Sequence, residues 1–297
     1  MMVTVRIFGG LANQMFQYAF GRAFSLRKNT ELCLDYYEQI LRTDFDGENL
    51  IRITDIFDLP VKLYIGKARK DFISRYKLRY VDQFITALQH KTSCVITEHN
   101  YAHSQTKIEK NENFYLIGHW QSERYFVDIK DIIRNDFRFK IEEQISKLDL
   151  YQEMTQSNSV SLHIRGKDYV KNPYYSQCDV HYYLNAIDKI SRDNSSLKFY
   201  IFTDDLDHVR ENYKELLEFS KIVNVRTPFK SEIVDLLLMS RCQHNIICNS
   251  SFSWWGAWLN NNPNKIVISP QRWITSTWLN KSHYSEESIT PVSWHKI

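Results

Sequence analysis

The run SLHIRGKDY, Ser161 to Tyr169, sets a histidine, an arginine and an aspartate at the end of a segment that alternates in polarity. If Val160, Leu162 and Ile164 turn toward a core, a period of two collects Ser161, His163 and Arg165 on the opposite face and delivers them to the carboxyl end of a strand. Open α/β sheets bind ligands at that end. A guanidinium there suits phosphate oxygens, because its planar fork donates in pairs where a lysine offers only a point charge. The competing reading of Arg165 is a structural ion pair with Asp168, three residues on. His163 has three readings: a base, a donor to phosphate, or a satisfied interior histidine.

The segment NSSFSWWGAW, Asn249 to Trp258, follows an apolar strand-like stretch and opens a helix with three serines around its start. First-turn amides and the positive end of the helix dipole make such a start a natural seat for phosphate, although serines cap helices of any kind. Trp254 and Trp255 are expected to seal that helix against a sheet. Asp204 and Asp205 end another strand-like run. They could hold a magnesium ion on phosphates, accept hydrogen bonds from a base or sugar, or cap the next helix. With no third acidic ligand in sequence range, the metal reading ranks last. Gly10, Asn13 and Gln14 lie in a glycine turn that lets a backbone approach a ligand closely.

Two frames are expected to position these residues. VTVRIF, a glycine turn, the helical QMFQYAFGRAFSLRKN and the strand-like ELCLDY make a βαβ opening. It carries no dinucleotide fingerprint, since Gly9 and Gly10 are adjacent and no third glycine follows at the required offset. From Ser159 onward SVSLHI, HYYLNAIDKISRD, KFYIFTDD, KIVNV, SEIVDLLLMSRC, HNIICNSS, SFSWWGAWLNN and KIVISP alternate between strand and helix, the pattern of a doubly wound parallel sheet. With 297 residues, 43% of them hydrophobic, two cores are expected. The first domain is placed over residues 1–155 and the second over 156–297, with the cleft between them as the default site.

Charge and composition exclude other classes. A net charge of +3, from 38 basic and 35 acidic side chains, does not describe a general nucleic-acid binder. The cysteines, Cys33, Cys94, Cys178, Cys242 and Cys248, show no C-x-x-C pair and are expected to be reduced and mostly buried. No signal-peptide pattern opens the sequence and no stretch reaches about eighteen apolar residues, so a soluble, cytoplasmic protein is expected. The basic, aromatic-rich run from Lys62 to Tyr80 reads as a solvated helix face. Its alternative is peripheral contact with an anionic inner-membrane surface or a lipid-linked acceptor.

Several motifs then occur in a telling order: GGLANQMFQYAFGRAFS from Gly9, GHWQSERYF from Gly118, HIRGKDYV from His163, IFTDD from Ile201, DLLLMSRCQHNIICNSSFSWWGAWLN from Asp235 and VISPQRW from Val267. Together they resemble the bacterial-type α-1,2-fucosyltransferases of glycosyltransferase family 11, over nearly the whole chain. The resemblance implies a GT-B fold, that is, two Rossmann-like, doubly wound parallel-sheet domains facing across a cleft. It implies inverting transfer of L-fucose from GDP-fucose to a sugar hydroxyl, O-2 of a terminal galactoside, with no metal required. By the same resemblance Arg165 binds the donor diphosphate, and His163 and Asp168 shape its pocket. Gly10, Asn13 and Gln14 reach the donor from the amino-terminal side, Asp204 lies near the nucleoside, and Asn249, Ser250 and Ser251 contact phosphate. The family commonly carries a second arginine directly after the first. Here Gly166 takes that place and Lys167 follows, so part of the phosphate charge falls to lysine or is missing. The implied partners are GDP-fucose and a galactose-terminated glycan acceptor. The rival readings are a transferase for another nucleotide sugar and a carbohydrate-binding protein without turnover.

Overall fold

Parallel sheets are covered on both faces, and this chain builds two of them. In the computed structural model, described here for residues 2–36, 51–64, 94–98, 113–170, 172–176, 178–192, 194–275 and 288–297, with backbone alone at 64, 168 and 170, the chain divides into two compact units, Met1–Arg138 and Phe139–Ile297.

The first unit holds a five-stranded sheet of β1 (Met2–Arg6), β2 (Glu31–Asp35), β3 (Lys62–Tyr64), β4 (Cys94–Thr97) and β5 (Phe114–Ile117), in the order β3-β2-β1-β5-β4. Every pairing is parallel. The connection from β1 to β2 is the Leu11–Arg27 helix, whose Met15, Phe16, Ala19, Phe20 and Ala23 are buried. Its contact with the sheet is close at one point: a Cβ on Gly21 would stand 2.2 Å from Val5 Cγ2. The helix is also tied to the end of its own unit, where Asp136 Oδ2 accepts from the Tyr18 hydroxyl at 2.7 Å and from Arg22 Nε at 3.1 Å.

The second unit holds β6 (Ser159–Ile164), β7 (Lys198–Thr203), β8 (Ser220–Ile222), β9 (His244–Ile246), β10 (Val267–Ser269) and β11 (His295–Lys296), again all parallel, in the order β11-β10-β9-β6-β7-β8. Its helices Val180–Ser191, Ser231–Arg241 and Ser251–Leu259 fall where the periodicity predicts them. Trp254 and Trp255 are wholly buried and pack with Trp258 and Trp294, sealing the last of these helices as expected. All five cysteines are free thiols, and four are buried.

Two expectations change. The helices Glu142–Ile145 and Asp149–Gln156 belong to the second unit, so the division falls after Arg138 and not after residue 155. The reason is packing: Arg241 pairs with Glu142 at 2.6 Å, and the Asp149–Gln156 helix lies against Ser231–Arg241. Second, the Ser161 and His163 face of β6, expected to carry its side chains to the strand's carboxyl end, is itself covered. Both residues are buried, because helices cover that face too, and Ser161 Oγ accepts from Asn245 Nδ2 at 2.7 Å.

The Gly21 contact has a direct consequence. Gly21→Ala should destabilise the first unit by about 1–3 kcal/mol through overpacking against Val5 and Leu32, read as a lowered midpoint in urea or thermal unfolding. An unchanged midpoint would show that the helix can lift from the sheet without cost.

Candidate functional site

In the second sheet the strand order reverses beside β6: the chain continues to β7 on one side and later reaches β9 on the other. Loops leaving such a switch point diverge and open a crevice at the carboxyl ends of the strands. Arg165 and Asn249–Ser251 are the residues that follow β6 and β9 there.

Arg165 is held from two sides. Its Nη1 pairs with Asp204 Oδ2 at 2.8 Å, while Gly166 N donates to the other Asp204 oxygen at 2.9 Å. The guanidinium carbon lies 5.2 Å from the centroid of the Tyr169 ring, a cation–π contact, and Tyr169 stacks on Tyr175 at 4.1 Å. Among the described residues Asp204 is an ion-pair partner of Arg165. The Asp168 side chain, expected to fill that role or to shape the pocket, lies outside the described residues. Asp204 orients the Arg165 guanidinium while holding the turn at Gly166.

Asp205 is engaged as fully. Its Oδ1 accepts from His208 N at 3.0 Å and its Oδ2 from Lys167 N at 3.3 Å, and these bonds hold the carboxyl below the usual aspartate range. A Cβ on Gly166 would lie 2.4 Å from Asp205 Cβ. The glycine at the place of the family's second arginine is thus a packing requirement of this turn. Lys167 adopts a left-handed φ of 40° there and its side chain is exposed.

On the β9 side Ser250 caps the Ser251–Leu259 helix, its Oγ accepting from Phe252 N at 3.3 Å. Ser251, the first residue of that helix, is partly exposed, and first-turn amides such as its own have no acceptor within a helix. Asn249 Nδ2 donates to the carbonyls of Ser176 (2.6 Å) and Trp273 (2.7 Å), so its side chain braces two loops. A small niche of about 20 Å³ lies at this junction and is lined by Arg165, Tyr169, His208, Tyr213, Cys248 and Asn249 among others.

His163 stands behind this site. Its Nδ1 is 3.1 Å from Cys248 Sγ, and it is only 3% exposed. Burial lowers the imidazole to about 3 and pushes the thiol up to about 12, so the two meet as neutral groups. Of the three readings of His163, the interior one holds. Sequence reasoning missed His208, which gave no motif signal and lines the niche.

The first sheet has its own switch point, between β1 and β5. Gly9 takes the left-handed φ of 78° that turns the chain, whereas Gly10 is extended and a Cβ on it would meet nothing within 4 Å. Asn13 Oδ1 accepts from Gln121 Nε2 at 2.8 Å, joining the two strand ends, and His119 packs edge-on against Phe8. Gln14 is wholly buried. It donates to the carbonyls of Ile51 and Gly9 and accepts from Ile53 N, so it braces the turn from inside. The Lys62–Tyr80 run beyond residue 64, and most of the irregular stretch from Asp44 to Asn113, lie outside the described residues.

The two parallel-sheet units have the GT-B fold, with a fixed cation and a capped helix start at the switch point of the second. The chain belongs to Glycosyl transferase family 11, whose sequence profile matches residues 1–297. It is 32% identical over 285 residues to an alpha-1,2-colitosyltransferase of Escherichia coli, covering 94% of each chain. It is 28% identical to the O-antigen biosynthesis glycosyltransferase WbnK of Escherichia coli, covering 94% of this chain and 97% of that one. In fold it is similar to the NodZ alpha-1,6-fucosyltransferase soaked with GDP-fucose (TM-score 0.53, 16% identity, 90% of this chain and 94% of that). POFUT1 in complex with GDP-fucose gives a TM-score of 0.54 at 11% identity, with 90% and 97% covered. Among the described residues no helix is long and apolar enough to cross a membrane.

The buried imidazole makes a pH test. Unfolded histidine binds its proton near 6.5 and folded His163 near 3, so between these values the unfolded chain holds more protons and stability falls as pH drops, by up to about 1.4 kcal/mol per unit. Denaturant unfolding of the protein and of His163→Asn should show the difference between them shrinking from pH 6.5 to 5. A constant difference would mean that His163 is not buried neutral.

Proposed function

We propose that this protein is an inverting fucosyltransferase that moves L-fucose from GDP-fucose to O-2 of a terminal galactoside, in synthesis of a glycan or surface polysaccharide. The reading rests most on Arg165, fixed by Asp204 beside a serine-capped helix start, at the point of an α/β sheet where anionic ligands bind. Family membership and the E. coli relatives support the reaction class.

Breaking the bond between fucose C1 and phosphate develops oxocarbenium character on the sugar and extra negative charge on the departing GDP. Groups that meet that charge better in the transition state than in the ground state accelerate the step. A preoriented guanidinium and the first-turn amides at Ser251 are suited to this, because neither must reorganise as charge arrives. The acceptor hydroxyl attacks the opposite face of C1 and gives up its proton. The enclosed His163 ring, with Nδ1 against Cys248 Sγ, supports reading it as a brace behind the site.

A second donor is favoured by one relative. Colitose is L-fucose without its 3-hydroxyl, and the chain is 32% identical to a colitosyltransferase. Incubation with GDP-fucose or GDP-colitose and a panel of β-galactoside-terminated glycans, followed by linkage analysis, tests both readings. An α-1,2-fucosylated product formed at the higher kcat/KM supports the first; no fucosyl product with any acceptor rejects it.

Two further results are expected. Arg165→Ala should lower kcat by about a hundredfold or more while the protein stays folded; loss within about tenfold, or 1.4 kcal/mol of barrier, would remove Arg165 as the main clamp. A chelator should leave turnover unchanged, because Asp204 and Asp205 already have their oxygens engaged by Arg165 and by backbone amides. Loss that added magnesium restores would make them metal ligands.

A further inference from the structure

One imidazole in the niche beside Arg165 has no part in the reaction as derived above. His208 sits in the Leu206–Asn212 helix, and its backbone N–H donates to Asp205 Oδ1. Asp205 Oδ2 takes the N–H of Lys167, so one carboxylate clamps the turn that follows β6 to the helix that follows β7. Arg165 lies on one side of this clamp and His208 on the other, and both line the same niche.

The imidazole's proton can be placed by its neighbours. Asn212 Nδ2 donates to the His208 carbonyl oxygen at 3.0 Å, which identifies the nitrogen end of that amide. The same nitrogen lies 3.1 Å from His208 Nδ1. An amide nitrogen only donates, so Nδ1 accepts and the ring proton resides on Nε2. The ring is held edge-on to Tyr213 at 5.4 Å, and the Tyr213 hydroxyl is itself bonded to the Cys178 carbonyl. The result is a fixed imidazole with an N–H to offer in a niche that already contains a guanidinium.

The adjacent backbone explains why such a donor matters. No side chain can follow Arg165 without displacing the clamp, since a Cβ on Gly166 would stand 2.4 Å from Asp205 Cβ. We propose that His208, through Nε2–H, is the second side-chain donor to the diphosphate of the sugar nucleotide, beside Arg165. This rests on the donor assignment made under Proposed function.

Calorimetric titration of GDP-fucose into the full chain tests it with three variants, H208F, H208Q and R165A. H208F keeps a ring against Tyr213 and removes the N–H; it should weaken binding by about tenfold or more, the effect of losing a hydrogen bond to a charged group. H208Q, which retains an N–H donor, should bind within a few-fold of the wild type. H208F within twofold of the wild type, while R165A loses binding, overturns the role of His208 alone. Equal weakening in H208F and H208Q overturns it as well, because packing would then account for both. Failure of the wild type to bind GDP-fucose overturns the donor assignment itself.

Discussion

The site depends on the ion pair between Arg165 and Asp204. An arginine at a strand end has long, flexible reach, and a guanidinium that must find its place as charge develops contributes little to a transition state. Asp204 removes that freedom by dividing its two oxygens between the guanidinium and Gly166 N–H. With side chains 29% and 19% exposed, the pair is too open to be credited with much fold stability. Its effect is on direction. The stacked Tyr169 and Tyr175 fix the other side of the same cation.

A fixed arginine needs a fixed frame, and a ladder of buried polar contacts supplies it. Asn245 Nδ2 donates to Ser161 Oγ and to the Met239 carbonyl, and Asn260 Nδ2 donates to Asn245 Oδ1 at 2.8 Å. His163 meets Cys248 one step nearer the site. These contacts lace β6, β9 and the Ser251–Leu259 helix together along the line where strand order reverses. Buried networks of this kind rigidify only when each member is satisfied, and a vacancy in one is costly. Residues that look catalytic by type, His163 and Asn249 among them, are therefore committed to holding the strand ends in register.

Much of this was legible in the sequence, for definable reasons. β6 was read at its observed limits because its apolar alternation is strong and its flanks are polar, and the helices of the second unit carry clear periodicity. β3, β4 and β11 are two to four residues long, too short for a period to emerge. Arg165 was found because its residue type and place at a strand end both point to anions. The contacts of its neighbours are not legible locally, because tertiary packing decides them. Whether His163 faces a ligand or a thiol depends on what covers the second face of β6, and nothing local in SLHIRGKDY records that. Gln14 and Asn249 share a motif with ligand-facing residues yet turn their amides to backbone carbonyls. Gly166 appears as a departure from the family pattern, and only the position of Asp205, at the start of the helix after β7, gives its cause.

The most direct measurement is a crystal structure of the protein with GDP-fucose or GDP. The account predicts diphosphate oxygens within hydrogen-bond distance of the Arg165 guanidinium and of the first-turn amides at Ser251, with Asp204 still paired to the arginine. A nucleotide bound in the Met1–Arg138 unit, away from Arg165, would contradict it.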